Sequence, residues 1–264
     1  MSIILKSARE LALIRRACEL VVEVLDQLTR QAAPGVTTAQ LDALACEITS
    51  RAGAQPLFKG VPNPHGKVPF PAAICASRNN VLVHGIPDDQ PLLDGDILSI
   101  DFGVRLDGYC GDAATTLMIG NVSPEAKRLV QTTKDVLKLA VENCLPHRRW
   151  FEVADIICSF VKQAGFAVVE DFVGHGIGLD MHEDPRVPNF VDTNGDDFVL
   201  EPGLVIAVEP MVNIGKKKVK TLDDGWTVVT ADSSLCAHFE HTVAITEHGP
   251  EILTPVHGLI SEVC

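Results

Sequence analysis

The sequence predicts an α+β protein in which helices cover an antiparallel sheet and the two halves of the chain are related by pseudo-two-fold symmetry. Two observations predict this class. Helical patterns precede strand patterns in each half, and short motifs recur at matching places in both halves. An Asp-Gly turn followed by an aromatic residue, for example, occurs at 107–109 and again at 224–226. We therefore expect a single domain over 1–264, with pseudosymmetric halves of about 1–120 and 121–264.

The first half begins with two helical patterns. From Ala8 to Arg30 apolar residues recur every three or four positions, and the pattern stops at a Pro-Gly pair. A second helix is predicted from Thr37 or Thr38, either of which can cap it, to Gly53. Prolines and glycines between Pro56 and Pro71 then indicate a loop. Strand-like runs follow at Ala72 to Ser77, Ile97 to Val104 and Ala113 to Ile119.

The second half repeats this order. Its helical patterns run from Ser123 to Cys144 and from Trp150 to Gly165. Strand patterns follow at Phe166 to Val173, Leu204 to Val208 and Thr242 to Ile245.

Composition bounds the classes of function. A chain of 264 residues with 46 % apolar and 22 % charged residues is long enough to bury a core. The 22 basic and 35 acidic residues give a net charge of −13, which argues against wide contact with nucleic acid. No apolar run approaches the ~20 residues of a membrane helix, and charged residues occupy the N-terminus where a signal peptide would be apolar. The sequence thus predicts a cytoplasmic protein that binds neither DNA nor a membrane.

Acidic residues recur around both Asp-Gly turns. Asp101 lies within an apolar strand, and the midpoint between Asp101 and Asp112 falls beside the first turn, so a hairpin would bring these carboxylates roughly opposite each other. Glu209 and Glu240 are related in the same way around the second turn. If the halves are related by the pseudo-two-fold, four carboxylates converge on one point. Like charges at such a point need a cation.

A histidine flanked by glycines, His175, ends an apolar strand and is the remaining candidate ligand. A dinucleotide fingerprint is the competing explanation of those glycines, but the last spacing is one residue short and no helical pattern follows. Four carboxylates and one neutral imidazole carry a charge of −4, which two divalent cations neutralise. Ligands without a thiolate suit Mn, Fe or Co, or a catalytic Zn pair. Such a pair activates water and polarises a carbonyl, which is hydrolysis chemistry.

Six short motifs surround these residues along the chain: Val83-His84-Gly85-Ile86-Pro87, Asp101-Phe102-Gly103, Gly174-His175-Gly176-Ile177-Gly178, His182-Glu183, Val208-Glu209-Pro210-Met211-Val212 and Phe239-Glu240-His241-Thr242. In order and in spacing they resemble the methionine aminopeptidases, and the resemblance covers nearly the whole chain. The interval from His175 to Glu209 leaves no room for the helical insertion of the type II enzymes, so the resemblance is to type I.

The resemblance implies the pita-bread fold and a methionyl aminopeptidase that acts on the N-termini of nascent polypeptides and of peptides. It implies a metal-bridged hydroxide as nucleophile and Glu209 as the base that shuttles the proton. It also implies that His84 and His182 flank the substrate, contacting the scissile amide and the developing tetrahedral centre. Two divalent ions (Co, Mn, Fe or Zn) are expected on Asp101, Asp112, His175, Glu209 and Glu240.

The side-chain pocket departs from the family pattern. Tyrosines usually precede the first histidine, where this chain has Phe58 and Val61. Cys75 and Trp226 match the expected pocket positions, while Met181 stands where a phenylalanine is common. We therefore predict a pocket of Phe58, Cys75, Met181 and Trp226, and we keep an aminopeptidase with another N-terminal preference as the alternative. A non-catalytic binding protein on this fold would typically lack ligands, and all five are present.

Two other enzyme classes account for fewer of these residues. A mononuclear iron oxygenase would leave three acids unexplained. A serine hydrolase is not supported because no G-x-S-x-G motif occurs.

A basic cluster stands out in this acidic chain and is expected to protrude near the mouth of the site. Since the implied substrate is a nascent chain, one hypothesis is a weak, salt-sensitive contact with ribosomal RNA, and a solvated loop is the other. The cluster consists of Lys216, Lys217, Lys218 and Lys220.

Overall fold

A computed structural model describes residues 2–63 and 68–256 of the chain. Within these ranges, no helix is long and apolar enough to cross a membrane. The helices are α1 (Ala8–Gln31), α2 (Thr38–Arg51), α3 (Pro124–Glu142) and α4 (Trp150–Gln163). The strands are β1 (Gln55–Pro56), β2 (Cys75–Arg78), β3 (Val81–Val83), β4 (Ile97–Leu106), β5 (Tyr109–Met118), β6 (Ala167–Val168), β7 (Gly174–Gly176), β8 (Glu183–Val187), β9 (Val205–Val208), β10 (Met211–Asn213), β11 (Val219–Thr221), β12 (Val228–Thr230), β13 (Cys236–His238), β14 (His241–Thr246) and β15 (Gly249–Ile252).

The helices of the first half form because capping residues start them and an apolar stripe buries them. Ser7 and Glu10 make a capping box at the start of α1, and Thr37 and Gln40 make one at the start of α2. Thr37 is therefore the cap, of the two threonines that the sequence offered. The buried stripe of α1 packs against β4 and β5, so this helix covers one face of their sheet.

The helices of the second half begin and end within two residues of the predicted bounds. Ser123 accepts a hydrogen bond from Ala126 N at 3.1 Å, and Pro124 occupies the first turn of α3. No side chain caps α4, but its first residue, Trp150, donates its indole N–H to Pro188 O at 2.8 Å. The fully buried Trp150 thereby attaches α4 to the chain that follows β8.

One long hairpin dominates the first half. β4 and β5 pair antiparallel without interruption, from Ile97 opposite Met118 to Leu106 opposite Tyr109. In this ladder Asp101 lies opposite Ala114, and Asp112 lies opposite Gly103. The two aspartates are offset by two residues and share one face of the sheet. We call β4–β5 the first hairpin.

A second hairpin is present but broken. The pairs β9–β14, β10–β13 and β11–β12 keep a single register, with Val208 opposite His241 and Met211 opposite His238. The chain reverses between β11 and β12, around the predicted Asp224-Gly225 turn. Glu209 and Glu240 lie in the gap between the first two pairs. We call these six strands the second hairpin.

The architecture confirms the predicted α+β class, since every strand pairing among the described residues is antiparallel and the helices cover the sheets. One strand was predicted too long, because only Ala167–Val168 of the run from Phe166 to Val173 pairs, with β10. Glu170 and Asp171 interrupt that run with a bend. The predicted loop from Pro56 to Pro71 begins with β1, and its residues 64–67 lie outside the described residues.

Candidate metal centre and substrate cavity

Both hairpins and β7 contribute acidic or imidazole side chains to one cavity of about 270 Å³. Asp112, His175 and Glu240 each present a ligand atom, and these atoms lie within 4.8 Å of one another. Asp101 and Glu209 line the same cavity, and Glu209 Oε1 lies 3.7 Å from His175 Nε2. The structure therefore brings together the five side chains that the sequence singled out.

A short antiparallel contact joins the two hairpins beside these side chains. Glu240 N donates a hydrogen bond to Ala114 O at 2.9 Å. At the next pair of residues along this contact, Asp112 and Thr242, the hydrogen bonds are made by the Thr242 hydroxyl instead of by its backbone. Thr242 Oγ1 donates to Asp112 O at 2.7 Å and accepts from Asp112 N at 3.3 Å. Two of the five candidate ligands, one on each hairpin, are thus held by the same contact.

Unsatisfied acceptor atoms show that a cation fits this cavity. Among the described residues, no hydrogen-bond partner is found for the buried atoms Asp101 Oδ1, Asp112 Oδ1 and Glu240 Oε1. His175 Nδ1 lies 2.9 Å from Gly176 O and must donate to it, so the lone pair of His175 is on Nε2. Buried acceptors that face one another without donors are costly unless a cation binds them.

The pKa values of the acids agree with this conclusion. Burial, followed by the charge of Asp112, raises the pKa of Asp101 well above its usual range. Burial and the charge of Glu209 raise the pKa of Asp112 to about 8. Burial and Asp112 likewise raise the pKa of Glu240 well above its usual range. These carboxyl groups are too crowded to ionise together without a compensating positive charge.

Two further histidines face the cavity from different sides. His84 follows β3 with a φ of 57°, a strained conformation for a residue with a side chain, and its ring meets those of Phe172 and Trp226 edge-on. Burial lowers the pKa of His84 to about 4. His182 lies in the loop before β8, with its ring centroid 4.4 Å from that of His175. His182 is exposed as a whole residue, but the protein shields part of its ring from water. This shielding, followed by the nearby His175, lowers the pKa of His182 to about 4.

Apolar side chains form the other wall of the cavity. All four predicted pocket residues line it, and they belong to one apolar cluster that also contains Phe70. The Trp226 ring meets the Phe70 ring edge-on at 5.3 Å, and its indole N–H donates to Val68 O at 2.8 Å. The predicted four are Phe58, Cys75, Met181 and Trp226.

Sequence reasoning missed one histidine in this cavity, His238. Its Nε2 is buried, lies 3.6 Å from Glu209 Oε2 and has no hydrogen-bond partner among the described residues. Burial works against ionisation of Glu209, but His238 and then His175 lower its pKa below the usual value. The hydroxyl of Thr116 fixes the His238 backbone, donating to His238 O at 2.7 Å and accepting from His238 N at 3.0 Å. Its position two residues before Glu240 was the available signal.

The predicted basic cluster is exposed. Lys217 Nζ pairs with Glu170 at 2.5 Å, and Lys216 N donates to Asp232 Oδ2 at 2.8 Å. Lys220 lies in β11, and β11 joins through β12 to β3, the strand that leads to His84. Lys220 therefore belongs to a sheet that borders the cavity, and Lys216, Lys217 and Lys218 lie in the connection that leads into this sheet.

Comparison with known proteins points to one family. The model of metallopeptidase family M24 matches residues 12–247. The methionine aminopeptidase of Clostridium perfringens is 48 % identical, over 96 % of this chain and 98 % of its own length. Methionine aminopeptidase 1 of Bacillus subtilis is 44 % identical, over 96 % of this chain and all (100 %) of its own. The crystal structure of the methionine aminopeptidase of Thermotoga maritima superposes with a TM-score of 0.89 at 39 % identity, covering 96 % of this chain and 99 % of that one.

Proposed function

The chain belongs to metallopeptidase family M24 and is a metal-dependent aminopeptidase that removes N-terminal methionine, and we propose that the five-residue cluster described above is its metal centre. The chain has the pita-bread fold of the methionine aminopeptidases. The proposal rests on buried acceptor atoms in one cavity for which the described residues offer no hydrogen-bond partner. The proposed ligands are Asp101, Asp112, His175, Glu209 and Glu240.

The proposed centre holds two divalent cations. Four carboxylates and one neutral imidazole carry a charge of −4, which two such ions balance. Asp112, His175 and Glu240 suit one ion, and Asp101 and Glu209 add carboxylates for a second. Oxygen and imidazole ligands without a thiolate suit Co, Mn, Fe or Zn. When bound, the ions would supply a nucleophilic water at neutral pH and polarise the scissile carbonyl.

The chain's own side chains position the substrate and move its protons. Glu209 accepts the proton of the nucleophile and passes it to the leaving amine, because its carboxylate lies in the cavity between two imidazoles. His182 donates an N–H toward the negative charge that develops on the carbonyl oxygen. His84, on the other side, contacts the scissile amide. The apolar wall takes the first side chain of the substrate, and an unbranched thioether fills such a surface well.

The N-termini of nascent polypeptides are the proposed substrates, and the cytoplasm is the proposed location. We propose in addition a weak contact between the basic cluster and ribosomal RNA. The lysines are exposed on β11 and on the connection before it, beside the sheet that borders the cavity, in a chain whose net charge is −13. Replacing all four lysines with glutamate should leave peptide turnover intact and reduce co-sedimentation with ribosomes at low salt. Unchanged co-sedimentation would leave the solvated-loop hypothesis.

Chelation and metal restoration test the proposed centre. Protein stripped with EDTA should lose release of methionine from a Met-Ala-Ser peptide and regain it with one or more of Co, Mn, Fe or Zn. Metal analysis of the restored protein should give two ions per chain. Asp107→Asn is a matched control, because Asp107 lies at the turn of the first hairpin and pairs with Arg16 away from the cavity. Full turnover after complete metal removal would contradict the proposal.

A further inference from the structure

A buried ion pair joins the start of the chain to the loop that carries His182. Lys6 precedes α1, and its ammonium group pairs with the carboxylate of Glu183; the two side chains are 3 % and 9 % exposed. Glu183 directly follows His182 and begins β8. We call residues 2–7 the N-terminal segment and residues 177–184 the His182 loop.

Close packing builds this contact. A Cβ at position 178 would lie 2.6 Å from Lys6 Nζ and 2.7 Å from Glu183 Oε1, so only glycine leaves room for the pair. The backbone of Lys6 is itself fixed, because Lys6 N donates to Gly203 O at 2.7 Å. The Lys6 side chain therefore extends to the His182 loop from a backbone whose position is fixed.

The Glu183 carboxylate connects the N-terminal segment to the inside of the His182 loop. One oxygen pairs with Lys6, and the other accepts a hydrogen bond from Asp180 N at 3.3 Å. A second contact supports the arrangement, since Ser2 N donates to Asp184 Oδ2 at 2.7 Å. His182 is exposed and its ring contacts that of His175, so apart from this contact its position depends on the backbone that carries it. One carboxylate holds that backbone, because Glu183 directly follows His182 and its Oε1 accepts from Asp180 N.

A buried ion pair is a poor means of gaining stability, since removing two charges from water costs about as much as their attraction returns. Its use lies in defining one arrangement. We propose that Lys6 is a positioning residue for His182, acting through Glu183 to hold the imidazole in place over the substrate. This inference rests on the proposed role of His182.

Neutral variants of the pair test this inference in the full-length, metal-loaded enzyme. Glu183→Gln keeps the length of its side chain, Lys6→Met shortens its side chain by one atom, and each change removes the charge. We expect kcat to fall about 10- to 100-fold in each, because small displacements of a catalytic group cost this much. KM and bound metal should stay within about twofold of the parent values, since the metal centre is untouched. The double variant should lose no more than the worse single variant, because both changes remove one contact.

One control variant and one spectroscopic measurement distinguish a positioning role of the ion pair from a general contribution to stability. Arg15→Met breaks another ion pair between the start of the chain and a distant strand, with Arg15 Nη2 at 2.7 Å from Glu251 Oε2, and should leave kcat within about twofold. In NMR spectra of protein with ¹⁵N-labelled histidine, the His182 signal should shift or broaden in Lys6→Met and not in Arg15→Met. Melting temperatures define the range in which every variant is folded, and Glu183→Gln alone suffices if Lys6→Met does not fold.

The outcomes distinguish this inference from the proposed function. An unchanged kcat and His182 signal in Lys6→Met or Glu183→Gln, with only a lower melting temperature, would overturn it. Loss of bound metal in step with kcat would also overturn it, because the pair would then act on the metal centre. If His182→Ala turns over normally, the proposed role of His182 is wrong and this inference fails with it. If His182→Ala is impaired and Lys6→Met is not, only this inference fails.

Discussion

The two hairpins that meet at the cavity hold their carboxylates in different ways. In the first hairpin the ladder is continuous, so the pleat itself directs Asp101 and Asp112 to one face. In the second hairpin Glu209 and Glu240 lie in a gap between paired strands, where the pleat does not direct them. Their positions therefore depend on contacts from elsewhere in the molecule.

Those contacts are few and specific. Asn189 Nδ2 donates to Glu209 O at 3.0 Å, and Glu240 N donates to Ala114 O in the first hairpin. Thr242, two residues after Glu240, binds the backbone of Asp112. The first hairpin therefore acts as a rigid frame, and the second hairpin is aligned by its attachment to the first. Side chains that make the attachment should therefore affect metal binding, although less than the ligands themselves.

Removal of one carboxylate should have the largest effect on turnover, and the loss should be equally large whichever hairpin supplies the carboxylate. Asp101→Ala and Glu209→Ala each remove a charge and a ligand from a balanced centre. Turnover should fall by more than about 100-fold with a parallel loss of bound metal, since even changes behind a ligand cost 10- to 100-fold. Steady-state kinetics and metal analysis measure this, with Asp107→Asn as the control. Full activity in either alanine variant would show that the cluster is not the catalytic centre.

The histidines outside both hairpins should affect rate without affecting metal. His182→Ala should lower kcat by about 10²- to 10³-fold, roughly 2.7 to 4 kcal/mol, because a donor to the developing oxyanion acts mainly on the transition state. His84→Ala should show the same pattern more weakly. Metal content should equal that of the parent. Normal turnover in both variants would refute the proposed roles.

Loss of the Thr242 contact between the hairpins should have a smaller effect on stability and on metal affinity. Thr242→Val removes the hydroxyl that serves Asp112, so it should lower the free energy of unfolding by about 1 to 3 kcal/mol and metal affinity by about tenfold. Thr242→Ser should restore both. Thr133→Val is the matched control, because Thr133 is fully buried and its hydroxyl donates to Leu129 O within α3. Denaturant unfolding measures the loss of stability, and metal titration measures the loss of metal affinity. Equal metal affinity in Thr242→Val and Thr133→Val would contradict the idea that the first hairpin aligns the second through Thr242.

The pocket shared by the hairpins should show the smallest differences. Cys75 on β2 lies opposite Asp101 of the first hairpin, and Trp226 lies near the turn of the second hairpin, so the apolar wall adjoins both hairpins. Peptides that begin with methionine should be cleaved faster than those that begin with norleucine or leucine. A hydrophobic pocket separates such side chains by only ~1 to 3 kcal/mol, so kcat/KM ratios should be modest. Preference for an N-terminal alanine, proline or charged residue would favour the alternative specificity.

Local patterns explain why much of the fold was predictable. The apolar spacing of α1 and the Pro-Gly pair that follows it predicted the C-terminal end of this helix to within one residue. The spacing of acids around each Asp-Gly turn predicted that the carboxylates of each hairpin would lie close together, because register in a hairpin follows from its turn. Glu209 and Glu240 lie opposite each other in the common register of the second hairpin, and the position of the Asp224-Gly225 turn sets this register.

Contacts between distant parts of the chain could not be predicted in this way. Lys6 and Glu183 are separated by 177 residues and resemble ordinary surface charges in the sequence. The Thr242 contact depends on how one hairpin lies on the other, which no local pattern encodes. Short strands such as β10 and β13 have too few residues to show an alternation. His238 was missed because a single histidine carries no periodic signal.

Anomalous diffraction from crystals of the manganese-loaded protein tests most directly whether two metal ions lie where the hairpins meet. We expect two anomalous peaks in the cavity, one of them in contact with Asp112, His175 and Glu240, and we expect both to be lost in crystals of Asp112→Ala. A single peak, or peaks that contact none of the five side chains, would contradict it.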